Sequence, residues 1–375
     1  MKVIVIDFRS FFITLKFFHY DYIRRNGYLV MITIKEMAEI LGISPTTVSN
    51  VINGKTSEVS RKTAEKVQKL LEEYDYVPNM NARNLAQNHS RLIGIVLKSR
   101  KDKYENIFAD PFHGELLGAL ESAIRANGYY MMLYTSEDID EIVRNVVSWN
   151  AEGLILIGML HDDYLRIKSK YKRPLVLIDS YTPKNIAKYV NIGLQDEEGG
   201  YLITKYLLEC GHRKIAFLAD NVEGVDYIRY NGHQRAFQEY GLDADVDDLI
   251  VIRPSKYERQ NSMQEIYEVA HKYTAFVCCS DYYAVTLMKY LRKRGLRIPE
   301  DISITGFDDN LYAQIVTPTL TTIHQDVAQR GRLAVEYLFK LINGWAAQTT
   351  NVFLPVHLVV RESVKMLNTL PKKQD

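Results

Sequence analysis

The sequence has few cysteines, almost no net charge and no long uncharged apolar run. Its three cysteines, Cys210, Cys278 and Cys279, form no metal-ligand spacing and no disulfide framework. We therefore predict no metal site and a reducing, cytoplasmic environment. Lys and Arg number 47 against 46 Asp and Glu, which argues against a chain that is basic throughout. The field at a binding site nevertheless depends on how charge is distributed locally. A transmembrane helix needs nearly twenty uncharged residues, and we predict no contact with a membrane.

The first thirty residues, MKVIVIDFRSFFITLKFFHYDYIRRNGYLV, are aromatic and apolar but interrupted by charges such as Asp7, Arg9 and Lys16. A secretory signal needs an unbroken apolar core and a small-residue cleavage site, and neither is present. An anchor at a membrane surface is the alternative interpretation. We interpret residues 1–30 as an extension outside the folded unit, with Met31 as the biological start.

Enzyme motifs are also missing. The sequence contains no G-x-G-x-x-G, no G-x-S-x-G and no H-E-x-x-H, so we predict neither an enzyme nor a cofactor. Gly54-Lys55-Thr56 resembles the end of a phosphate-binding loop, but Ser49 stands where such a loop needs its first glycine. A strand should also precede that loop, and here the pattern predicts a helix. A nucleotide-binding loop is therefore excluded.

Residues 31–77 carry instead the capping signals of short helices. Thr33-Ile34-Lys35-Glu36 is a capping box, and Gly42 is expected to end that first helix. Ser44 and Pro45 suit the start of a second helix, which Asn53-Gly54 would end. A third helix is expected over about 60–74. Two short helices joined by a glycine turn, with a third packed behind them, predict a helix-turn-helix DNA-binding domain.

From residue 91 onward, short apolar runs alternate with amphipathic segments. The predicted buried parallel strands are Leu92–Leu97, Leu154–Ile157, Leu175–Ile178, Lys214–Leu218, Ala275–Cys278 and Ile302–Thr305. The predicted helices cover 113–126, 198–209, 229–240, 282–294 and 327–342. This alternation predicts a doubly wound α/β architecture, in which ligands bind beyond the carboxyl ends of the strands.

Several ordered motifs resemble the LacI/GalR family of bacterial transcription repressors. They are PTTVSNVING, YVPNMNARNLA, RLIGIVL, DPFHGELLGALESAIRANGY, ECGHRKIAFLAD, RGLRIPEDISITGFDD and PTLTTI. The resemblance runs from Thr33 to about Ser363. It implies an α + α/β fold class: an N-terminal helix-turn-helix headpiece followed by a two-lobed periplasmic-binding-protein-like α/β effector domain. The implied domains are 31–77 for the headpiece, 78–90 for a hinge helix, 91–363 for the effector and dimerisation domain, and 364–375 for a tail. Lobe 1 would hold about 91–190 and 325–352, and lobe 2 about 191–324 and 353–363.

The resemblance also implies residues that contact DNA. In the headpiece they are Thr33, Ser44, Pro45, Thr46, Thr47, Ser49, Asn50 and Asn53. Relatives usually carry arginine at the position of Asn50, and an asparagine amide can pair with adenine N6 and N7. We therefore expect an A·T pair in the half-site where many relatives prefer G·C. The alternative is that Asn50 contacts only phosphate. Thr47 and Ser49 are expected to position the domain on phosphates or cap the helix.

The hinge segment is expected to enter the minor groove. Its implied DNA contacts are Asn79, Ala82, Arg83 and Leu85. By resemblance, two copies of this short helix fold on a double-stranded DNA operator, and Leu85 from each copy wedges between base pairs. The alternative is that Leu85 packs on a neighbouring domain. The assembly implied is a homodimer on a palindrome, with a tetramer left open.

The implied effector contacts are Phe112, His113, Arg229, Ser280, Asp281 and Asp308. A carboxylate and a guanidinium from different strands suit a small-molecule effector with hydroxyls or ring nitrogens. We expect a sugar or sugar derivative. A purine or nucleoside is the alternative, and a solute-binding protein without regulatory role is a third interpretation. Structural ion pairing is the competing role for these residues, and helix capping is the competing role for Asp281.

Overall fold

The computed structural model describes residues 32–77, 89–98, 107–180, 189–242, 248–346 and 348–367. The chain forms two compact units, residues 1–88 and residues 89–375. Within the described residues, no helix is long and apolar enough to cross a membrane.

The first unit contains three helices in its described part: α1 (Ile34–Leu41), α2 (Pro45–Ile52) and α3 (Arg61–Glu73). The predicted capping box is confirmed, because the Thr33 hydroxyl accepts from Glu36 N and the Glu36 carboxylate accepts from Thr33 N at 2.9 Å. Gly42 ends α1 at φ +62°, a left-handed conformation that favours glycine. Ser44 caps α2 with Pro45 at its first position, also as predicted.

These helices pack on one small apolar core. Its buried members are Ile32, Met37, Ala38, Val48, Val67 and Leu70. Leu70 of α3 is 7% exposed. One face of each short helix packs into this core. The opposite face of α2 is therefore accessible to a binding partner.

The second unit contains two parallel sheets. Strands of the first sheet are β1 (Leu92–Lys98), β2 (Tyr130–Ser136), β3 (Gly153–Ile157), β4 (Leu175–Ile178), β5 (Val190–Leu194) and β11 (Thr350–Leu354). Those of the second are β6 (Ile215–Ala219), β7 (Leu249–Val251), β8 (Ala275–Cys278) and β9 (Ser303–Thr305). The strand order is β11-β5-β4-β3-β1-β2 in the first sheet and β7-β6-β8-β9 in the second. A separate antiparallel pair joins β10 (Thr322–His324) to β12 (His357–Val359).

Helices alternate with these strands along the chain. They are α4 (Pro111–Ala126), α5 (Ile139–Ser148), α6 (His161–Lys170), α7 (Asp196–Glu209), α8 (Gly224–Glu239), α9 (Lys256–Val269), α10 (Asp281–Lys293), α11 (Leu311–Ile315) and α12 (Val327–Ile342). The predicted two-lobed α/β fold is confirmed. The six predicted buried strands are all present. The strands that were not predicted individually are β2, β5, β7, β10, β11 and β12, and the helices are α5, α6, α9 and α11. The first sheet includes all of β5 and β11, so it extends past residues 190 and 352, where we expected lobe 1 to end.

Two glycines bring α7 and α8 into backbone contact. A Cβ added at Gly200 would lie 1.9 Å from the Arg229 carbonyl oxygen, and one added at Gly232 would lie 1.9 Å from the Glu197 carbonyl oxygen. No side chain fits either position without moving a backbone. This close approach places Arg229 on α8 beside Asp196, the first residue of α7.

Candidate DNA-reading surface and effector cleft

The first turn of α2 presents an exposed polar edge. Ser44 Oγ accepts from Thr47 N at 3.1 Å and shares a hydrogen bond with Thr47 Oγ1 at 2.9 Å. The first of these bonds satisfies one of the free amides at the helix start. Pro45 and Thr46, between them, are exposed, while Val48 anchors the helix in the core. The cap therefore fixes the turn and leaves two side chains free to contact a partner.

The later polar residues of α2 have intramolecular partners. Asn53 Nδ2 donates to the Ser49 carbonyl oxygen at 2.8 Å and to Ser49 Oγ at 3.2 Å. Asn50 Nδ2 donates to Glu58 Oε2 at 3.2 Å. One amide hydrogen of Asn50 is thus held by a carboxylate, while its Oδ1 and second amide hydrogen remain to pair with a base.

Some of the predicted DNA contacts cannot be placed. Asn79, Ala82, Arg83 and Leu85 lie outside the described residues, as does the extension at 1–30. Thr33 is described, and its hydroxyl donates to Glu36 Oε2 at 2.8 Å within the capping box.

Arg229 forms the most deeply buried ion pair of the second unit's candidate site. Its Nε donates to Asp196 Oδ1 at 2.8 Å, with side-chain exposures of 9% and 1%. Nη1 donates to the Cys279 carbonyl oxygen at 2.6 Å, and the guanidinium lies 3.4 Å from the Phe307 ring centroid. Burial alone lowers the pKa of Arg229, but the carboxylates of Asp196, Asp308 and Asp226 together raise it above its usual value. The guanidinium is therefore a fixed cation in an enclosed place.

Asp308 lies next to this cation on a strained backbone. Its φ is +124°, which side chains other than glycine rarely adopt and which native proteins retain mainly at functional sites. Gln325 Nε2 donates to its Oδ1. Burial raises the pKa of Asp308 to about 7, and the nearby Arg229 opposes that rise. A carboxyl with this pKa can both donate and accept hydrogen bonds near neutral pH.

Ser280 and Asp281 have structural roles that differ from those expected. The cap of α10 is Ser280, whose hydroxyl accepts from Tyr283 N, so the interpretation of Asp281 as the cap is wrong. Asp281 is fully buried and accepts from Asn310 N at 2.9 Å and Thr322 Oγ1 at 2.6 Å. It thereby ties the start of α10 to the segments that follow β9 and form β10. Burial raises its pKa well above the usual value.

The first sheet contributes a second buried cation. Arg330, in the first turn of α12, is 1% exposed, and its Nη1 donates to Asp179 Oδ2. The guanidinium lies 5.3 Å from the ring centroid of Phe112, the predicted aromatic contact at the start of α4. Phe112 packs edge-on against His113, whose Nδ1 is 3.6 Å from Asp110 Oδ2. Asp110 itself caps α4.

These groups from both sheets influence one another electrostatically. The pKa of the Asp179 carboxyl is raised by burial, lowered by Arg330, raised by Asp196 and lowered by Arg229. The positive charges of Arg229 and Arg330 both lower the pKa of the Asp308 carboxyl. Phe112, Arg229 and Asp308 therefore belong to one constellation with residues that the sequence analysis did not single out.

The missed members of this constellation are Asp179, Asp196, Gln325 and Arg330. A signal for three of them existed in the sequence. Asp179 directly follows β4, Asp196 stands two residues after β5, and Gln325 directly follows β10. Polar residues beyond the carboxyl ends of strands are where this architecture binds ligands. Among the described residues, no group of His, Cys, Asp and Glu could hold a metal ion.

A helix-turn-helix unit and a two-sheet α/β unit with a cluster of buried polar groups, here called the effector cleft, together define a ligand-responsive DNA-binding regulator. Residues 33–79 match the model "Bacterial regulatory proteins, lacI family", and residues 204–364 match "Periplasmic binding protein-like domain". The chain belongs to the lacI family of bacterial regulatory proteins, and it is a transcriptional regulator rather than an enzyme.

Relatives match along almost the whole chain. The HTH-type transcriptional repressor PurR of Vibrio atlanticus is 33% identical over 348 residues, covering 90% of this chain and 100% of that protein. A lac repressor dimer, solved bound to operator and the anti-inducer ONPF, has a TM-score of 0.78 at 26% identity, covering 90% and 100% of the two chains. The regulator CelR in complex with cellobiose has a TM-score of 0.67 at 26% identity, covering 88% and 99%.

Proposed function

We propose that this regulator is a cytoplasmic repressor that binds a palindromic operator as a homodimer. The observation that carries the proposal is the capped, exposed first turn of α2, with Pro45 and Thr46 pointing away from the headpiece core. A helix of this kind enters the major groove by its N-terminal turn. Residues 78–90 act as the hinge in this proposal, and two-fold pairing of headpieces matches a two-fold operator. The lac repressor dimer bound to operator is the solved precedent.

The second unit senses a small molecule, and the proposed effector is a sugar or sugar derivative. Support comes from the donors and acceptors of Arg229, Asp308 and Gln325, and from Arg330, which acts on Asp308 electrostatically and lies 5.3 Å from the ring centroid of Phe112. A ligand with several hydroxyls satisfies such a mixed set. The complex of CelR with cellobiose supports the same class. A purine or nucleoside is the second candidate, and the relatives named PurR are the reason to retain it.

The proposed control is a change of lobe closure. An effector that contacts residues from both sheets stabilises one arrangement of the lobes over another. The resulting shift alters the spacing of the two hinge segments and hence their ability to fold on DNA. A solute-binding protein without regulatory role would need no helix-turn-helix unit, which makes that interpretation the weaker one.

Binding-site selection with purified protein that starts at Met31 tests this function. We expect the selected DNA to be palindromic and to bind about 10³-fold or more tighter than random fragments at physiological salt. Affinity should decrease steeply as salt rises, because phosphate contacts release counterions. A chain that begins at residue 89 is the control and should select nothing. Equal binding to palindromic and random DNA, with and without candidate effectors, would contradict the proposal.

A further inference from the structure

The guanidinium of Arg330 has one edge without a partner. Nη1 donates a hydrogen bond to Asp179 Oδ2, whereas Nε and Nη2 are buried and have no hydrogen-bond partner among the described residues. Nε and Nη2 form the side-on edge of the guanidinium, whose parallel N–H groups match the two oxygens of a carboxylate or phosphate. Leaving buried donors of a charged group unpaired costs free energy, so such groups usually await a ligand, an ion or a water.

Other unpaired polar atoms belong to the partners and neighbours of Arg330. Asp179 Oδ1, Ser180 Oγ and Gln325 Oε1 are buried and also lack a partner within the described part of the chain. Ser180 is 1% exposed and Gln325 is 4% exposed. Gln325 also donates to Asp308, on which Arg330 acts electrostatically, so both residues are related to the proposed effector site. Free acceptors beside free donors fit a ligand that carries hydroxyls as well as an anionic group.

We propose that the effector carries a carboxylate and that Arg330 binds it side-on. The inference rests on the proposed function and names the chemical class of its effector as a sugar acid. Arg330 is placed for this role, because its guanidinium lies 5.3 Å from the Phe112 ring centroid, pairs with the Asp179 carboxylate and acts electrostatically on Asp308.

The surrounding charges favour a carboxylate over a phosphate ester. Asp179 already pairs with Arg330, and Asp308 and Asp110 lie within electrostatic range of each other. A carboxylate adds one negative charge to this set, whereas a phosphate ester adds nearly two at neutral pH. Repulsion from the aspartates therefore penalises the phosphate more. Arg229 cannot bind the carboxylate through two parallel N–H groups, because its Nε already donates to Asp196 and its Nη1 to the Cys279 carbonyl oxygen.

Calorimetric titration of the full chain with a matched ligand panel tests the inference. The acids are D-galacturonate, D-glucuronate and D-gluconate, compared with D-galactose, D-glucose and D-glucose 6-phosphate. At least one acid should bind about 100-fold tighter than its neutral parent, which is the usual size of a charge-assisted bidentate contact. Three results overturn the inference: no acid binds, a neutral parent binds as well as its acid, or only the phosphate ester binds.

Two variants at position 330 separate the effect of the bidentate geometry from the effect of the positive charge. Arg330→Lys keeps the positive charge but cannot form the bidentate contact, and Arg330→Met loses both the charge and the contact. Acid affinity should decrease about 10-fold for the first and about 100-fold for the second, while the affinity for a neutral sugar changes little. Equal losses for acid and neutral sugars would contradict the assignment.

The double variant Asp179→Asn/Arg330→Met covers the case in which the unpaired Asp179 prevents folding. It should lose the preference for acids while keeping a cooperative melting transition. Retention of that preference in the double variant would overturn the role of Arg330. Operator selection is measured separately, so a failure to bind DNA would reject the proposed function without altering the outcome of the ligand panel.

Discussion

The recognition surface and the effector cleft use polar side chains in opposite ways. On α2 the partners are local: Ser44 bonds Thr47, and Asn53 bonds Ser49, at separations of three and four residues. In the cleft, Arg229 pairs with Asp196 across 33 residues, and Arg330 pairs with Asp179 across 151. The first set lies at the surface, whereas the second is almost entirely enclosed.

This difference has an energetic consequence. Exposed polar residues on α2 that do not cap the helix exchange hydrogen bonds with water for hydrogen bonds with DNA, so replacing them should cost little folding free energy. Buried charges in the cleft stabilise the fold only while each has its partner. Substitutions of α2 residues that do not cap the helix should therefore alter DNA binding with little change in stability, and substitutions in the cleft should alter both ligand binding and stability.

The largest expected change in the free energy of unfolding comes from a substitution in the cleft. Arg229→Met leaves Asp196 buried without its cation, and the free energy of unfolding should decrease by about 3–5 kcal/mol. Urea denaturation measures the change. Arg235→Met is the control on the same helix, since Arg235 is 41% exposed and pairs with Glu197 and Glu198 at the surface. That change should cost about 0–1 kcal/mol. Similar losses for both variants would show that burial does not distinguish the two pairs.

A smaller effect is expected from the proton on Asp308. Its pKa is about 7 in the folded protein, against about 3.9 in an unfolded chain. Between these values the folded state holds a proton that the unfolded state releases, so stability decreases as pH rises through this window. Asp308→Asn removes this dependence and still accepts from Gln325. Relative to wild type, the variant should gain about 1–3 kcal/mol between pH 4.5 and pH 8.

Thermal and urea denaturation across that pH range check the gain. Asp162→Asn is the control, because it removes a carboxylate from the exposed first turn of α6. Its stability should follow that of wild type at every pH. A constant difference between Asp308→Asn and wild type would contradict a proton held on Asp308.

The same contrast explains what could be predicted from the sequence. Capping residues such as Thr33 and Ser44 bond backbone amides three residues further along the chain. The local sequence is therefore enough to predict where α1 and α2 begin. Buried parallel strands are continuous apolar runs and were also predictable. The less apolar edge strand β2 (burial mostly partial) and the polar helix α6 carried weaker signals and were missed.

The cleft could be predicted only in part. Arg229, Phe112 and Asp308 were selected because their motifs resemble those of the family, not because of any local pattern. Asp179 could have been selected from its position directly after β4, but Arg330 carried no signal, since its pairing with Asp179 depends on how α12 packs against the end of β4. Long-range pairing of this kind follows from the tertiary fold, and sequence spacing does not encode it.

The smallest effect on folding is expected at the recognition surface, where the effect on specificity is large. Asn50→Ala removes a partly exposed amide and should change the free energy of unfolding by less than about 0.5 kcal/mol. Binding to the selected operator should weaken by about 1–3 kcal/mol, mainly through lost discrimination at one A·T pair, because a bidentate amide–adenine pair is lost. Fluorescence anisotropy with operators substituted at each half-site position measures both quantities.

A cation near the same helix provides the matched comparison. Lys55→Ala removes an exposed charge from the turn after α2 and should weaken binding to all sequences alike, with the salt slope reduced by about 1. Asn50→Ala should leave that slope unchanged. If Asn50→Ala also weakened every sequence equally, Asn50 would contact phosphate alone. In that case specificity would have to come from Pro45, Thr46 and the hinge, and the expectation of an A·T pair under Asn50 would be wrong.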